Sequence, residues 1–160
     1  MKNILIIVLL VFGKNATAQI TKTDVLLCNK QWKMIAWTVT PAMDYRNEND
    51  LITDLLKNER TCLKDDYYVF TFNKKYSLLN GEQHCTETEN DVVSKGTWAF
   101  LKNDSTVLNM RKEGNGGFLQ KRIIVLTAEK LSYGTTLTKN KITYTFTETF
   151  ENIKNEKIKF

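Results

Sequence analysis

The clearest signal in this chain is alternation. Over its second half, apolar residues recur at every second position in short runs separated by turn residues, the two-residue period of half-buried β-strands. Residues 67–73 and 75–81 read as a hairpin, with Tyr68, Phe70 and Phe72 on one face of its first strand and Tyr76 and Leu78 on one face of its second. Residues 96–101 and 106–111 form the next hairpin around Lys102-Asn103-Asp104-Ser105; Trp98 and Phe100 alternate in one strand, Leu108 and Met110 in the other. The turn Asn115-Gly116-Gly117 leads into a strand over 118–127, and a strand over 129–138 follows with Leu131, Tyr133, Thr135 and Leu137 sharing a face. Lys139-Asn140 turns the chain into 141–151, where Ile142, Tyr144, Phe146 and Phe150 oppose Thr143, Thr145, Thr147 and Thr149. Upstream, 31–40 predicts a first strand ending at Pro41. Residues 49–58 predict the one helix of the body, because Leu51 with Leu55 and Ile52 with Leu56 fall at i, i+4 and Asn49 can cap them. The polar stretch 82–94 reads as a loop.

Strands joined mostly by short turns, each with one apolar face, suit an up-and-down antiparallel sheet. The prediction is an all-β fold, an eight-stranded antiparallel up-and-down barrel with one short helix, since closure removes exposed edges. A sandwich is the competing arrangement. A barrel of this size is just wide enough to be filled by side chains or to hold one small ligand.

The first eighteen residues follow a different pattern. Lys2 supplies a positive start, 4–12 is an unbroken apolar run, and Ala16-Thr17-Ala18 is the small-x-small pattern of a cleavage site. Nine apolar residues are too few for a bilayer, which needs about 20. A secretory signal cleaved after Ala18 is expected, leaving 19–160 as one domain. Lys2 and Lys14 leave with it, so a net charge of +5 falls by two. No Cys directly follows the apolar run, and Leu27 before Cys28 is too large for a lipoprotein site. The expected product is exported, periplasmic or extracellular, and is not an integral membrane protein. With 42% hydrophobic and 11% aromatic residues, composition excludes a disordered chain. Nucleic-acid binding would want a basic stripe with interleaved aromatics, which is missing.

Export makes disulfides permissible. Cys28, Cys62 and Cys85 allow three single pairings. Cys62 and Cys85 flank one predicted hairpin, which makes their closure easy, whereas Cys28 lies in the apolar run Val25-Leu26-Leu27-Cys28 and reads as a buried small hydrophobe. The single His84 beside Cys85, without a short Cys-x-x-Cys pair, is too little for a metal site or a Cys–His dyad. Asp65-Asp66 reads as a turn-shaping pair that accepts backbone N–H groups. No clustered nucleophile or acid–base set emerges, so neither catalysis nor a cofactor is expected.

These residues resemble a family. Leu26-Leu27, Trp32-Lys33 and the strand end Thr38-Val39-Thr40-Pro41-Ala42, then Cys62-Leu63-Lys64-Asp65-Asp66-Tyr67 followed by Tyr76, Gly81 and Cys85, and Gly96-Thr97-Trp98, are similar to the secreted bacterial lipocalin-like domain proteins. The Cys-x-x-Asp-Asp to Gly-x-x-x-Cys spacing is the most specific part. The Gly-x-Trp of lipocalins proper is not on the first strand, where Lys30 stands two before Trp32. The resemblance implies a lipocalin-like barrel over 19–160, a bridge between Cys62 and Cys85, and a binding role.

The candidate site follows from the barrel. Tyr68, Phe70, Phe72, Trp98, Phe100, Tyr133, Tyr144 and Phe146 would line an apolar cup suited to a lipid or other small hydrophobic ligand, or else fill the interior. Arg122 would anchor a fatty-acid-like carboxylate if its parity faced inward, and would be solvated if Leu119, Lys121, Ile123 and Val125 faced inward instead. The expected function is carriage of a small apolar or fatty-acid-like ligand. The alternative is a non-catalytic envelope or interaction module with a filled barrel.

Overall fold

The computed structural model describes residues 20–45, 50–114 and 116–153. The predicted signal, the Asn49 cap and Asn115 lie outside them. The chain runs α1 (Lys22–Leu27), β1 (Gln31–Asp44), β2 (Leu51–Asp54), a 3-10 turn (Leu56–Asn58), α2 (Thr61–Lys64), β3 (Tyr67–Phe70), β4 (Lys75–Leu79), β5 (Val92–Leu101), β6 (Asp104–Lys112), β7 (Phe118–Leu126), β8 (Lys130–Lys139) and β9 (Ile142–Asn152).

From β3 onward every strand pairs antiparallel with the next, and β1 pairs with both β3 and β9. This closes an eight-stranded antiparallel barrel; a sandwich would leave β1 and β9 unpaired. β2 is a ninth strand added to the far half of β1, with Met43 opposite Ile52 and Asp44 opposite Leu51.

Two expected boundaries change. Residues 51–54 are strand rather than helix. A spacing of four is a multiple of the strand period as well as one helical turn, so Leu51 and Leu55 fit either reading; pairing to β1 decides it, and only 56–58 turns as 3-10. β1 also continues past Pro41 to Asp44 through a cis Thr40–Pro41 peptide. Thr40 makes the last pair with β9, so the N–H that proline lacks falls where that ladder stops.

Inward-facing residues on opposed strands meet as pairs: Met34 with Phe150, Phe70 with Tyr76, Trp98 with Met110, Leu131 with Phe150. Trp32, Phe70, Trp98, Tyr133 and Phe150 are almost fully buried. Burying each is worth roughly 2–3 kcal/mol of apolar transfer. Edge-to-face contacts at 6.0 Å between Phe70 and Trp98, and a 5.1 Å Tyr133–Phe150 contact, knit them together. Gly96, opposite Tyr76, keeps β5 close to its neighbours: a Cβ there would collide with the Arg111 carbonyl oxygen and lie 2.8 Å from Tyr76 Cε1.

One end of the barrel is plugged by α1. Its Thr21-x-x-Asp24 start is a capping box, with Asp24 N donating to Thr21 Oγ1 at 3.1 Å and Thr21 N donating to Asp24 Oδ2 at 3.0 Å. Buried Leu27 and Cys28 join the core, and Trp32 Nε1 donates to the Leu27 carbonyl at 2.9 Å. Lys74, in the β3–β4 turn at φ 63°, donates to Asp24 Oδ1 at 2.6 Å while its Nζ stands 4.1 Å from the centre of the Trp98 ring. Burial of Asp24 works against its ionised form, but the Lys74 hydrogen bond and the Thr21 backbone outweigh it and hold the carboxyl below the usual range.

Candidate functional site

The opposite end of the barrel lies away from α1. Here the inward parity of β7, β8 and β9 carries Leu119, Leu137 and Ile142, all roughly half-exposed. Below them stand the half-buried Tyr144 and Phe146, with buried Val39 facing Phe146 from β1. The barrel wall thus continues as an apolar rim above its packed half.

Beneath this rim stands a buried ion pair. Lys121 projects inward from β7 opposite Leu108 and reaches Glu148 of β9. Its Nζ donates to both carboxylate oxygens, at 2.8 and 2.7 Å. The side chains are only 8% and 15% exposed. The same Nζ lies 4.1 Å from the Tyr133 ring centre. Burial depresses the Lys121 pKa, and Glu148 pulls the other way. Tyr133 is held well above its ordinary value, first by burial and then by the Glu148 charge; Tyr68 is raised by the same two causes. Neither phenol ionises at any physiological pH.

In register, Trp37 of β1, Glu148 of β9 and Tyr133 of β8 form one inward row. The Tyr133 hydroxyl lies against the Glu148 carboxylate, its hydrogen-bond partner, while Trp37 Nε1 is buried without one. Orphans of this kind are uncommon in folded proteins.

The predicted site residues divide between the two ends. Phe70 and Trp98 are buried in the plugged half, with Tyr68 and Phe100 packed against the same cluster. Tyr133 lies beside the Lys121–Glu148 pair, and the half-buried Tyr144 and Phe146 stand under the rim. Phe72 does not share the inward face: β3 ends at Phe70, and Phe72 lies in the turn beyond it, 37% exposed. Arg122 is not an interior anchor either. Val107 and Gly134 are its cross-strand partners on the outer face, and its guanidinium, 68% exposed, pairs with Asp104 at 3.6 Å. The inward cation is its neighbour Lys121, placed there by the parity that puts Ile123 on the core. The sequence carried a signal for this pair. Glu148 interrupts the apolar stripe Tyr144, Phe146, Phe150 just as Lys121 interrupts Leu119 and Ile123, and opposite charges on two inward stripes can neutralise each other.

Outside the barrel, Cys62 of α2 is bonded to Cys85 across 23 residues, and Cys28 is the one free cysteine of the described chain. Asp65 Oδ2 accepts from Gln83 N at 2.9 Å, and Asp66 accepts a backbone hydrogen bond from Gly81. The acid pair therefore shapes the bridged loop. Burial nevertheless raises the Asp66 pKa. A groove of about 370 Å³ on the outer wall lies between Arg122, Ile124 and Gly134. Among the described residues no group of three or more His, Cys, Asp or Glu gathers as a metal site, and no helix is long and apolar enough to cross a membrane. No protein-family model and no curated protein matches this sequence.

Proposed function

We propose that this is an exported, non-catalytic lipocalin-like protein that binds a small hydrophobic ligand at the end of its barrel away from α1. One observation carries the reading. Inward-facing Leu119, Leu137 and Ile142 remain half-exposed above a floor that is otherwise buried. Apolar side chains converging on one concavity favour an apolar ligand, with a few polar groups at its base to orient it. The plugged half is committed to packing and is a foundation, not a pocket. Export rests on the Met1–Ala18 pattern, and the Cys62–Cys85 bridge fits an oxidising compartment.

The test is native mass spectrometry of the protein purified from its own host. The expected result is a mature chain beginning at Gln19 that carries co-purifying lipid, lost in a Leu137→Glu variant of unchanged circular dichroism. A ligand-free protein that also ignores added amphiphiles would overturn the reading. That result would favour a filled-barrel interaction module, for which the exposed outward Phe118 and Ile124 of β7 are the contact surface.

A further inference from the structure

The rim away from α1 is uneven in both polarity and charge. β7 begins, β8 ends and β9 begins there, and the three strands are neighbours. Phe118, Leu119, Leu137 and Ile142 therefore stand along one stretch of it, each between 46% and 60% exposed. Register sets Phe118 opposite Arg111 and Ile142 opposite Lys139. Over residues 111–119 and 137–142 the cations are Arg111, Lys112, Lys139 and Lys141. The one acid there is Glu113, and it is tied to Lys95 at 3.2 Å. Elsewhere on the rim the sign reverses, with Asp44 and Asp50 at the β1–β2 connection and Asp91 before β5. The apolar stretch is also built on rigid elements. Asn140 and Lys141, at φ 52° and 64°, make the two-residue left-handed turn that suits a twisted hairpin. Docking through it would cost little conformational freedom.

Large apolar side chains exposed together and flanked by one sign of charge suit an interface between water and lipid. The apolar groups enter the boundary of the acyl chains, and the flanking lysines reach the phosphates above it. From the juxtaposition of this apolar stretch with its four cations, we infer that the rim formed by the β6–β7 and β8–β9 turns docks on an anionic membrane surface. Phe118, Leu119, Leu137 and Ile142 supply the apolar contact. The acids at the β1–β2 side are repelled by the same surface, so the barrel stands tilted with β7, β8 and β9 lowermost. A second copy of the chain fits this stretch less well, because a two-fold contact would set its cations against each other.

The inference does not depend on a ligand in the barrel. The exported protein is spun with phosphatidylglycerol vesicles and, separately, with phosphatidylcholine vesicles. It is expected to pellet with the first at low salt, to be released at high salt, and to stay in solution with the second. Each cation near such a surface is worth about fivefold in attachment, so Lys139→Gln/Lys141→Gln is expected to weaken it about 25-fold. Phe118→Ser is expected to weaken it about tenfold. Both variants alter exposed side chains and should melt like the parent. No pelleting with phosphatidylglycerol, equal pelleting with both vesicles, or attachment that both variants leave unchanged overturns the inference. A dimer that ignores vesicles and is lost in Phe118→Ser assigns the rim to a second copy and overturns it too. Attachment is read in the pellet and lipid uptake in the supernatant, so this inference and the binding function fail separately.

Discussion

Removing Lys121 should cost far more than its share of contacts, and removing its partner as well should restore most of the loss. Lys121→Met keeps much of the side-chain length but leaves the Glu148 carboxylate 85% covered and without the two donors at 2.7 and 2.8 Å. Breaking one side of a buried pair typically costs 3–5 kcal/mol. The remaining exposure of Glu148 lets some water in, so the low end, about 3 kcal/mol, is expected. For a domain of this size that is about 10 °C in Tm. In Lys121→Met/Glu148→Leu no charge is stranded, and stability should return to within about 1 kcal/mol of the parent. Urea unfolding followed by the fluorescence of buried Trp32 and Trp98 measures all four corners of the cycle at pH 8. A single variant within about 0.5 kcal/mol of the parent, or a double variant as unstable as the sum of its parts, would refute the buried-pair argument.

Three further outcomes are expected. Gly96→Ala should destabilise by about 2 kcal/mol or more, because the added methyl meets the Arg111 carbonyl and Tyr76, whereas Gly117→Ala, with nothing within 4 Å, should stay within about 0.5 kcal/mol; thermal melts compare them. Asp24 is held below its unfolded value of about 3.9, so its folded form binds fewer protons; its contribution is present above that pH and is lost as acid titrates the folded carboxyl, and Asp24→Asn should cost about 1–2 kcal/mol at pH 7 while flattening the acid limb below pH 4 in a pH–stability series. Cys28 is buried, and burial pushes its thiol up to about 11, so thiol reagent should count no reactive cysteine in the native protein and one after unfolding without reductant; replacing both bridged cysteines by Ser should cost about 3 kcal/mol in urea.

The hairpins from β3 to β9 were legible because period-two alternation and turn residues agree along them, as in Tyr144, Phe146 and Phe150 against Thr143, Thr145 and Thr147. Closure was inferable only as an economy of edges. β2 escapes a periodicity reading because a four-residue spacing does not discriminate between periods. The plug α1 went unread although Thr21-x-x-Asp24 before an apolar run is a capping signature. Arg122 is the stronger carboxylate binder by chemistry, but both parities of β7 are equally apolar. Only the Glu148 opposite shows which of two adjacent cations is inside.

The ring is not closed with equal strength all round. β1 meets β9 over a register from Trp32 to Thr40, but it meets β3 only through Gln31, Trp32 and Lys33, because its far half is occupied by β2. The barrel is a hoop with a short clasp beside the plug. Above that clasp no backbone ladder joins β2 to β3. The Cys62–Cys85 bridge ties the chain just before β3 to the loop after β4, so this flank is held by a covalent link where the ladder is short.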